Sequence, residues 1–184
     1  MPRATPEAIL LVDGYNMVGA WHELKQVRDR QGLEEARRRL VEALMGYSSY
    51  KGFETQIVFD AQYRDSPNIR EVITEHVSVY YTDFGQTADS FIERTCADFR
   101  QDLRKFKQRL IVATSDQAQK ITVIGFGADW MSAERLATDV EFVACRVQRH
   151  LKPAKKPTGR FLMHSLDPIA QQRLAQLRSS DHKK

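Results

Sequence analysis

The sequence predicts an α/β fold in which helices cover both faces of a central parallel sheet. Short apolar segments, typical of buried parallel strands, alternate along the chain with amphipathic segments of helix length. Three of the strand candidates end at an aspartate or shortly before one. The length of 184 residues, with 42% apolar and 28% charged residues, suits one globular domain followed by a tail.

The first half of the chain predicts three strands and one long helix. Apolar residues recur at helical spacing over residues 33–50, with charged residues between them, which predicts an amphipathic helix. The strand segments form unbroken apolar runs or are rich in β-branched and aromatic residues. These predicted strands are residues 8–12, 55–59 and 76–81.

The second half predicts one further strand, over residues 110–113, between two helices. Thr87 is the expected N-cap of the first helix, whose apolar stripe runs to Phe106. The second helix spans residues 132–151. Residues 121–124 are either a short strand or the end of a helix.

The expected domain comprises residues 8–151, after an N-terminal extension of residues 1–7. Residues 152–184 are expected to form a basic C-terminal tail, which opens with a segment that contains two prolines and a glycine. An aspartate N-cap followed by proline predicts a short helix over residues 167–177 of this tail.

Charge is distributed unevenly along the chain, whose formal net charge is +4. Residues 146–184 carry ten Lys and Arg against two acidic residues, a net charge of +8. Residues 1–145 carry 18 basic and 22 acidic residues, a net charge of −4. This asymmetry favours a polyanionic partner, although a solvated tail that aids solubility has the same composition.

Composition argues against several other classes of protein. The apolar run of residues 8–12 is far shorter than the roughly 20 residues of a membrane span, and no export signal precedes it. Two cysteines do not make a disulfide scaffold, and no Cys/His spacing matches a zinc site. We therefore expect a soluble cytoplasmic protein without a membrane partner.

Five acidic residues are placed to meet at one edge of the predicted sheet. Asp13, Asp60 and Asp116 follow strands, and the carboxyl ends of parallel strands share an edge. Asp89 and Glu93, four residues apart, lie on one helix face. Carboxylates in one pocket repel unless cations bind, and oxygen ligands favour Mg²⁺ or Mn²⁺. The chemistry that uses such a site is metal-assisted phosphodiester hydrolysis.

Each of these acids also has a structural explanation when it is considered alone. Aspartate after a strand is a common helix N-cap or turn residue, and Asp89 can stabilise a helix as a charge near its N-terminus. The coincidence of three strand-end acids with an i, i+4 acid pair favours the metal site.

Residues 10–21, LLVDGYNMVGAW, resemble the opening of the NYN-domain family, a branch of the PIN-like nucleases. The closest resemblance is to its YacP-like bacterial branch, which consists of ribosome-associated endoribonucleases that cleave messenger RNA. The further matching segments, in the same order as in the family, are residues 58–61, 87–93, 113–116 and 125–134.

This resemblance implies a PIN-like three-layer sandwich and RNA cleavage that depends on Mg²⁺ or Mn²⁺. The residues that match the family's catalytic motifs are Asp13, Asn16, Asp60, Asp89 and Asp116. The expected metal ligands are Asp13, Asp89, Asp116 and Glu93. Asn16 either orients Asp13 or a water on the metal, or is an Asx-turn residue.

RNA is the expected partner, and the ribosome is the place where the resemblance implies that messenger RNA is cut. Tyr15 is expected to stack on a base or to belong to the core, and Ser115 to bond to phosphate or to a carboxylate. The full set of expected RNA contacts is Tyr15, Ser115, Arg146, Arg149, Lys152, Lys155, Lys156 and Arg160.

The leading functional hypothesis is a metal-dependent endoribonuclease that acts on single-stranded RNA. An alternative is a non-catalytic RNA or ribosome adaptor, in which the acids are helix caps and the basic tail binds. Phosphotransferases on a similar sheet are disfavoured. One class of these proteins needs a second aspartate two residues after the first, where this chain has Tyr15. Another class has a lysine directly at the end of a late strand, whereas Lys120 comes four residues after Asp116.

Overall fold

A computed structural model of the chain describes residues 5–60, 69–83 and 85–151. Within these residues, one sheet of six strands is surrounded by helices. The strands are β1 (Ala8–Asp13), β2 (Phe53–Phe59), β3 (Ile69–Val72), β4 (Val77–Tyr81), β5 (Arg109–Ala113) and β6 (Asp129–Met131). The α-helices are α1 (Gly14–Ala20), α2 (His22–Gln31), α3 (Leu33–Lys51), α4 (Ala88–Gln101), α5 (Gln117–Gly125) and α6 (Ala133–Leu151).

The strands lie in the order β3-β4-β2-β1-β5-β6. All neighbouring pairs are parallel except β3 and β4, which are antiparallel. The predicted parallel sheet is therefore confirmed, with one antiparallel strand added at its edge. β1 occupies the interior of the sheet, and all six of its residues are buried, as its unbroken apolar run predicts.

Alternate residues of β1 face the two helical layers. Leu10 and Val12 belong to a core cluster that includes residues of α3 and α6. Ile9 and Leu11 belong to a second cluster with residues of α4 and α5. Helices thus cover both faces of the sheet, which confirms the predicted three-layer architecture.

Sequence patterns miss four elements, namely α1, α2, β3 and β6. Their apolar patterns are too short or too weak, since β6 has three residues and α2 buries Leu24 alone among its ten residues. Residues 121–124, for which strand and helix were both open, lie within α5.

The helix predicted to continue to Phe106 is wrong in its last turn, because α4 ends at Gln101. The Asp102 carboxylate accepts the backbone N–H of Arg104 at 2.7 Å and begins a separate 3₁₀ helix, Leu103–Phe106. Leu103 and Phe106 are 80% and 76% exposed, so neither belongs to the buried stripe.

Contacts divide the chain into one compact unit that ends at Val147 and a second that begins at Gln148. The tail of residues 152–184, with its predicted helix at 167–177, lies outside the described residues. The domain boundary at residue 151 therefore stays a prediction. Across the described ranges, no helix combines the length and apolar character that a membrane crossing requires.

Candidate active site at the carboxyl edge of the sheet

Four aspartates reach the carboxyl edge of the sheet from four separate segments. Asp13 ends β1, Asp60 follows β2, and Asp116 comes shortly after β5. Asp89 is the second residue of α4. Because β1 is hydrogen-bonded to both β2 and β5, the carboxyl ends of these three strands are adjacent. The sheet order therefore brings together acids that are far apart in sequence.

Asp13 lies deepest of the four, with 8% of its surface exposed. Its Oδ1 accepts the backbone N–H of Asn16 at 3.1 Å. Burial, together with the negative charges of Asp89, Asp60 and Asp116, raises the pKa of Asp13 to about 6, although the hydrogen bond from Asn16 acts in the opposite direction. The carboxylates are thus close enough to act on one another.

Asp89 is more exposed, and its Oδ1 accepts a hydrogen bond from the side-chain amide of Gln119 at 2.5 Å. Partial burial raises the pKa of Asp89, as do the charges of Asp116, Asp60 and Glu93. Glu93 therefore lies within electrostatic reach of the site, as its position one helical turn after Asp89 predicts.

Three of the aspartates also cap helices. Asp13 is the N-cap of α1, and Asp116 is the N-cap of α5, where it accepts the backbone N–H groups of the second and third helical residues at 2.7 and 3.0 Å. Asp60 accepts the N–H of the first residue of α4. Helix capping, the structural explanation for an aspartate after a strand, is therefore observed for these three acids.

In all four aspartates, every hydrogen bond among the described residues uses Oδ1. The second carboxylate oxygen of each accepts no hydrogen bond from the part of the chain that the structure describes. One oxygen fixes the side chain, and the other has no hydrogen-bond partner among the described residues. The capping and metal-binding interpretations are therefore compatible at each position.

Among the described residues, no three His, Cys, Asp or Glu side chains form a ready-made metal cage. Mg²⁺ commonly takes one or two carboxylates and completes its shell with water and substrate phosphates. Four carboxylates, whose repulsion a cation would relieve, suit this open kind of site. The assignment of Asp13, Asp89, Asp116 and Glu93 as metal ligands stays a prediction.

Asn16 ties two corners of the edge together. Its side-chain Oδ1 accepts the backbone N–H of Ser115, 99 positions along the chain, at 2.8 Å. The Ser115 hydroxyl in turn accepts the N–H of Ala133, the first residue of α6, at 3.2 Å. The pKa of Glu134 is lowered first by a hydrogen bond from its own backbone N–H, then by the Ser132 side chain, and to a smaller extent by the Ser115 side chain. The Asn16 and Ser115 side chains thus hold the loops that carry Asp13 and Asp116.

An aromatic cluster lies at the ends of β2 and β4 and includes the residue that precedes Asp60. Tyr15 packs edge-on against Phe59, with ring centroids 5.1 Å apart, and Phe59 stacks on Tyr81. The Arg37 guanidinium lies 6.0 Å from the Phe59 centroid and donates to the Tyr15 hydroxyl at 3.2 Å. Its side chain is 13% exposed, and its ion-pair partner Glu34 is 4.0 Å away.

The predicted basic contacts with RNA are only partly within the described residues. Arg146 and Arg149 are exposed on α6. The remaining four, which lie outside the described residues, are Lys152, Lys155, Lys156 and Arg160.

Residues 10–179 match the family model of the YacP-like NYN domain. The chain belongs to this family. The uncharacterized protein YacP of Bacillus subtilis (strain 168) is 36% identical to it over 158 residues, which cover 84% of this chain and 89% of that protein. Membership in the family indicates an RNase-type function, and the resemblance that the motifs suggested is confirmed.

Two crystal structures of Rae1 (YacP) from Bacillus subtilis have a similar fold. A mutant form matches with a TM-score of 0.65 and 30% identity, over 92% of this chain and 99% of its own. The other matches with a TM-score of 0.63 and 29% identity, over 95% of each chain. The PIN-like α/β fold predicted from the sequence agrees with both. The family match also extends through most of the basic C-terminal segment.

Two residues that contact predicted site residues or their neighbours escape the sequence analysis, Gln119 and Arg37. Gln119 stands three residues after an aspartate N-cap, the spacing of a capping box, which could have drawn attention to it. Arg37 lies in the charged pattern of α3 and carries no local signal, because its contacts with Tyr15 and Phe59 arise from packing between elements.

Proposed function

We propose that this chain is an endoribonuclease that requires Mg²⁺ or Mn²⁺ and cleaves single-stranded RNA. The observation that supports this most directly is the convergence of four aspartates, each with one carboxylate oxygen free of hydrogen bonds from described residues. Membership in the YacP-like NYN domain family supports the choice of RNA as the substrate.

Asp13 and Asp89 would hold the principal ion, with Asp116 and Glu93 as further or water-bridged ligands. The ion would supply Lewis-acid activation of water and of the scissile phosphate. The chain's own groups hold the site in place: Asp60 fixes the start of α4, and Asn16 joins the loops after β1 and β5. Hydrolysis in this way leaves 5′-phosphate and 3′-hydroxyl ends.

Basic and aromatic groups would bring the polyanionic substrate to an acidic edge. Arg37 donates to the Tyr15 hydroxyl, and we propose that this pair offers a guanidinium and an aromatic ring to a phosphate and a base. The segment from residue 146 onward, with its net charge of +8, attracts RNA at longer range. This charge and the resemblance to the YacP-like branch support messenger RNA on the ribosome as the target.

The decisive experiment compares Asp13→Asn and Asp89→Asn with the wild type on single-stranded RNA and on ribosome-bound messenger RNA. We expect each variant to lose roughly 100-fold or more of the Mg²⁺- or Mn²⁺-dependent cleavage rate, because each removes a ligand charge. Asp98→Asn is the matched control, since Asp98 is exposed on the same helix as Asp89. Full activity in both site variants would show that the assignment is wrong.

A non-catalytic RNA or ribosome adaptor is the second candidate. It is favoured by the helix-capping bonds of three aspartates and by the lack of a ready-made metal cage among the described residues. In an adaptor, the aspartate variants would alter stability alone, whereas loss of charge in residues 152–184 would abolish binding. Assaying cleavage and binding on one ribosome preparation separates the two functions.

A further inference from the structure

Gln119 connects two of the acids and is almost completely buried, with 3% of its surface exposed. Its side-chain Nε2 donates to Asp89 Oδ1 at 2.5 Å, and its backbone N–H donates to Asp116 Oδ1 at 3.0 Å. Its side-chain Oε1 is buried and has no hydrogen-bond partner among the described residues. Gln119 is therefore bonded to both acids, and its Oε1 has no partner in the described part of the chain.

The local sequence offers Gln119 a different partner, which its side chain does not take. In a capping box, a glutamine three residues after the N-cap bonds back to the N-cap N–H. Here the N–H of Asp116 donates instead to the Thr114 hydroxyl at 3.0 Å. The Gln119 amide is thereby released from its own helix and reaches across to α4.

A packing role alone does not explain a glutamine at this position. A buried amide oxygen without a partner destabilises the folded state, and an apolar side chain of similar shape avoids that cost. Reversing the amide gives no relief, since Oε1 would then face the Asp89 carboxylate oxygen, another acceptor. The consequence of this arrangement is that the Asp89 carboxylate is held by its Oδ1 alone.

We propose that Gln119 is a positioning residue that holds Asp89 so that its second oxygen is available to a divalent cation. This inference rests on the proposed function, because it assigns Asp89 to the metal site. Gln119 donates to Oδ1 of Asp89, restricts rotation of the carboxylate, and links it through α5 to Asp116. Neutral donation fixes the carboxylate without removing the negative charge that attracts the cation.

The test replaces the amide by an apolar group of similar length, in Gln119→Met. We expect an unchanged or higher Tm, a 10- to 100-fold weaker affinity for Mn²⁺ measured by electron paramagnetic resonance, and a similar fall in RNA cleavage. Gln117→Met is the matched control, because Gln117 is exposed on the same helix. Wild-type Mn²⁺ affinity in Gln119→Met would overturn the proposal, whether or not the Tm of the variant is lowered.

Two further measurements test the inference, and the first needs no Gln119 variant, so it applies even if Gln119→Met does not fold. In the wild type, the Gln119 side-chain amide should exchange slowly with solvent, and its NMR signal should shift on addition of Mg²⁺. An unshifted signal contradicts the proposal. In an Asp89→Asn background, Gln119→Leu should weaken Mn²⁺ binding no further, and an additional loss there also contradicts it.

The failures of the two proposals are distinguishable. If Asp13→Asn abolishes Mn²⁺ binding and cleavage but Gln119→Met changes neither, the role of Gln119 alone is wrong. If the wild-type protein binds no Mn²⁺ and cleaves no RNA, both proposals are wrong.

Discussion

The carboxyl group of Asp13 lies in surroundings that disfavour its charged form. Burial and the charges of Asp89, Asp60 and Asp116 raise its pKa from the ordinary value of 3.8 to about 6. The folded state therefore binds this proton more tightly than the unfolded state does. The contribution of Asp13 to the free energy of unfolding consequently falls as the pH rises from about 4 to about 6. Above that range the contribution is fully lost.

At pH 8, Asp13→Asn is expected to raise the free energy of unfolding of the metal-free protein by up to about 3 kcal/mol, from about 1.36 kcal/mol per pKa unit. Asparagine stays neutral and retains the oxygen that accepts the Asn16 N–H. Near pH 4, where Asp13 is protonated in the folded state, we expect no gain. Urea unfolding with EDTA at both pH values measures the difference. An equal effect of Asp13→Asn at the two pH values would contradict it.

The same site residues show how far a sequence predicts a site. Asp13, Asp60 and Asp116 are predictable because each follows a strand, and parallel strands bring their carboxyl ends to one edge. The bond from Gln119 to Asp89 spans 30 positions and depends on how α5 packs against α4. The capping-box spacing draws attention to Gln119 but predicts a bond within its own helix, so the bond to Asp89 is found only in three dimensions.

At the scale of elements, the strands and the long helices follow from apolar periodicity, whereas α1 and α2 do not. α1 has seven residues, and its position depends on a close contact with β2. Gly14, its first residue, is buried, and a Cβ there would overlap the ring of Phe59. The contact between Gly14 and Phe59 packs α1 against β2, the strand that leads to Asp60. No sequence pattern within α1 predicts this contact.

Gly14→Ala is therefore expected to destabilise the protein by roughly 1–3 kcal/mol, because the methyl group must displace the buried Phe59 ring or the helix. Gly19→Ala is the matched control on the same helix, where a Cβ would meet nothing within 4 Å. There the substitution should stabilise by roughly 0.5–1 kcal/mol, since alanine favours helix more than glycine does. Urea unfolding of both variants measures the contrast, and effects of the same sign would refute the packing argument.

At the scale of the whole molecule, an acidic body is joined to a basic segment. Residues 1–145 carry a net charge of −4 and residues 146–184 a net charge of +8. The family match through residue 179 includes most of the basic segment, so it belongs to what the family shares. Under the proposed function, cations at the acidic edge and basic side chains elsewhere in the chain would together offset the repulsion between this edge and RNA.

If the basic segment binds RNA phosphates, then replacing Lys152, Lys155 and Lys156 together by glutamine should weaken binding and flatten its salt dependence. For single strands, each phosphate contact contributes about −0.7 to the slope of log K against log salt, so the slope should become less negative by about 2. Filter binding or fluorescence anisotropy on single-stranded RNA over a range of salt concentrations measures it. The matched control neutralises three exposed lysines elsewhere, Lys25, Lys51 and Lys107. An equal loss in both triple variants would mean that overall charge, rather than this segment, determines RNA binding.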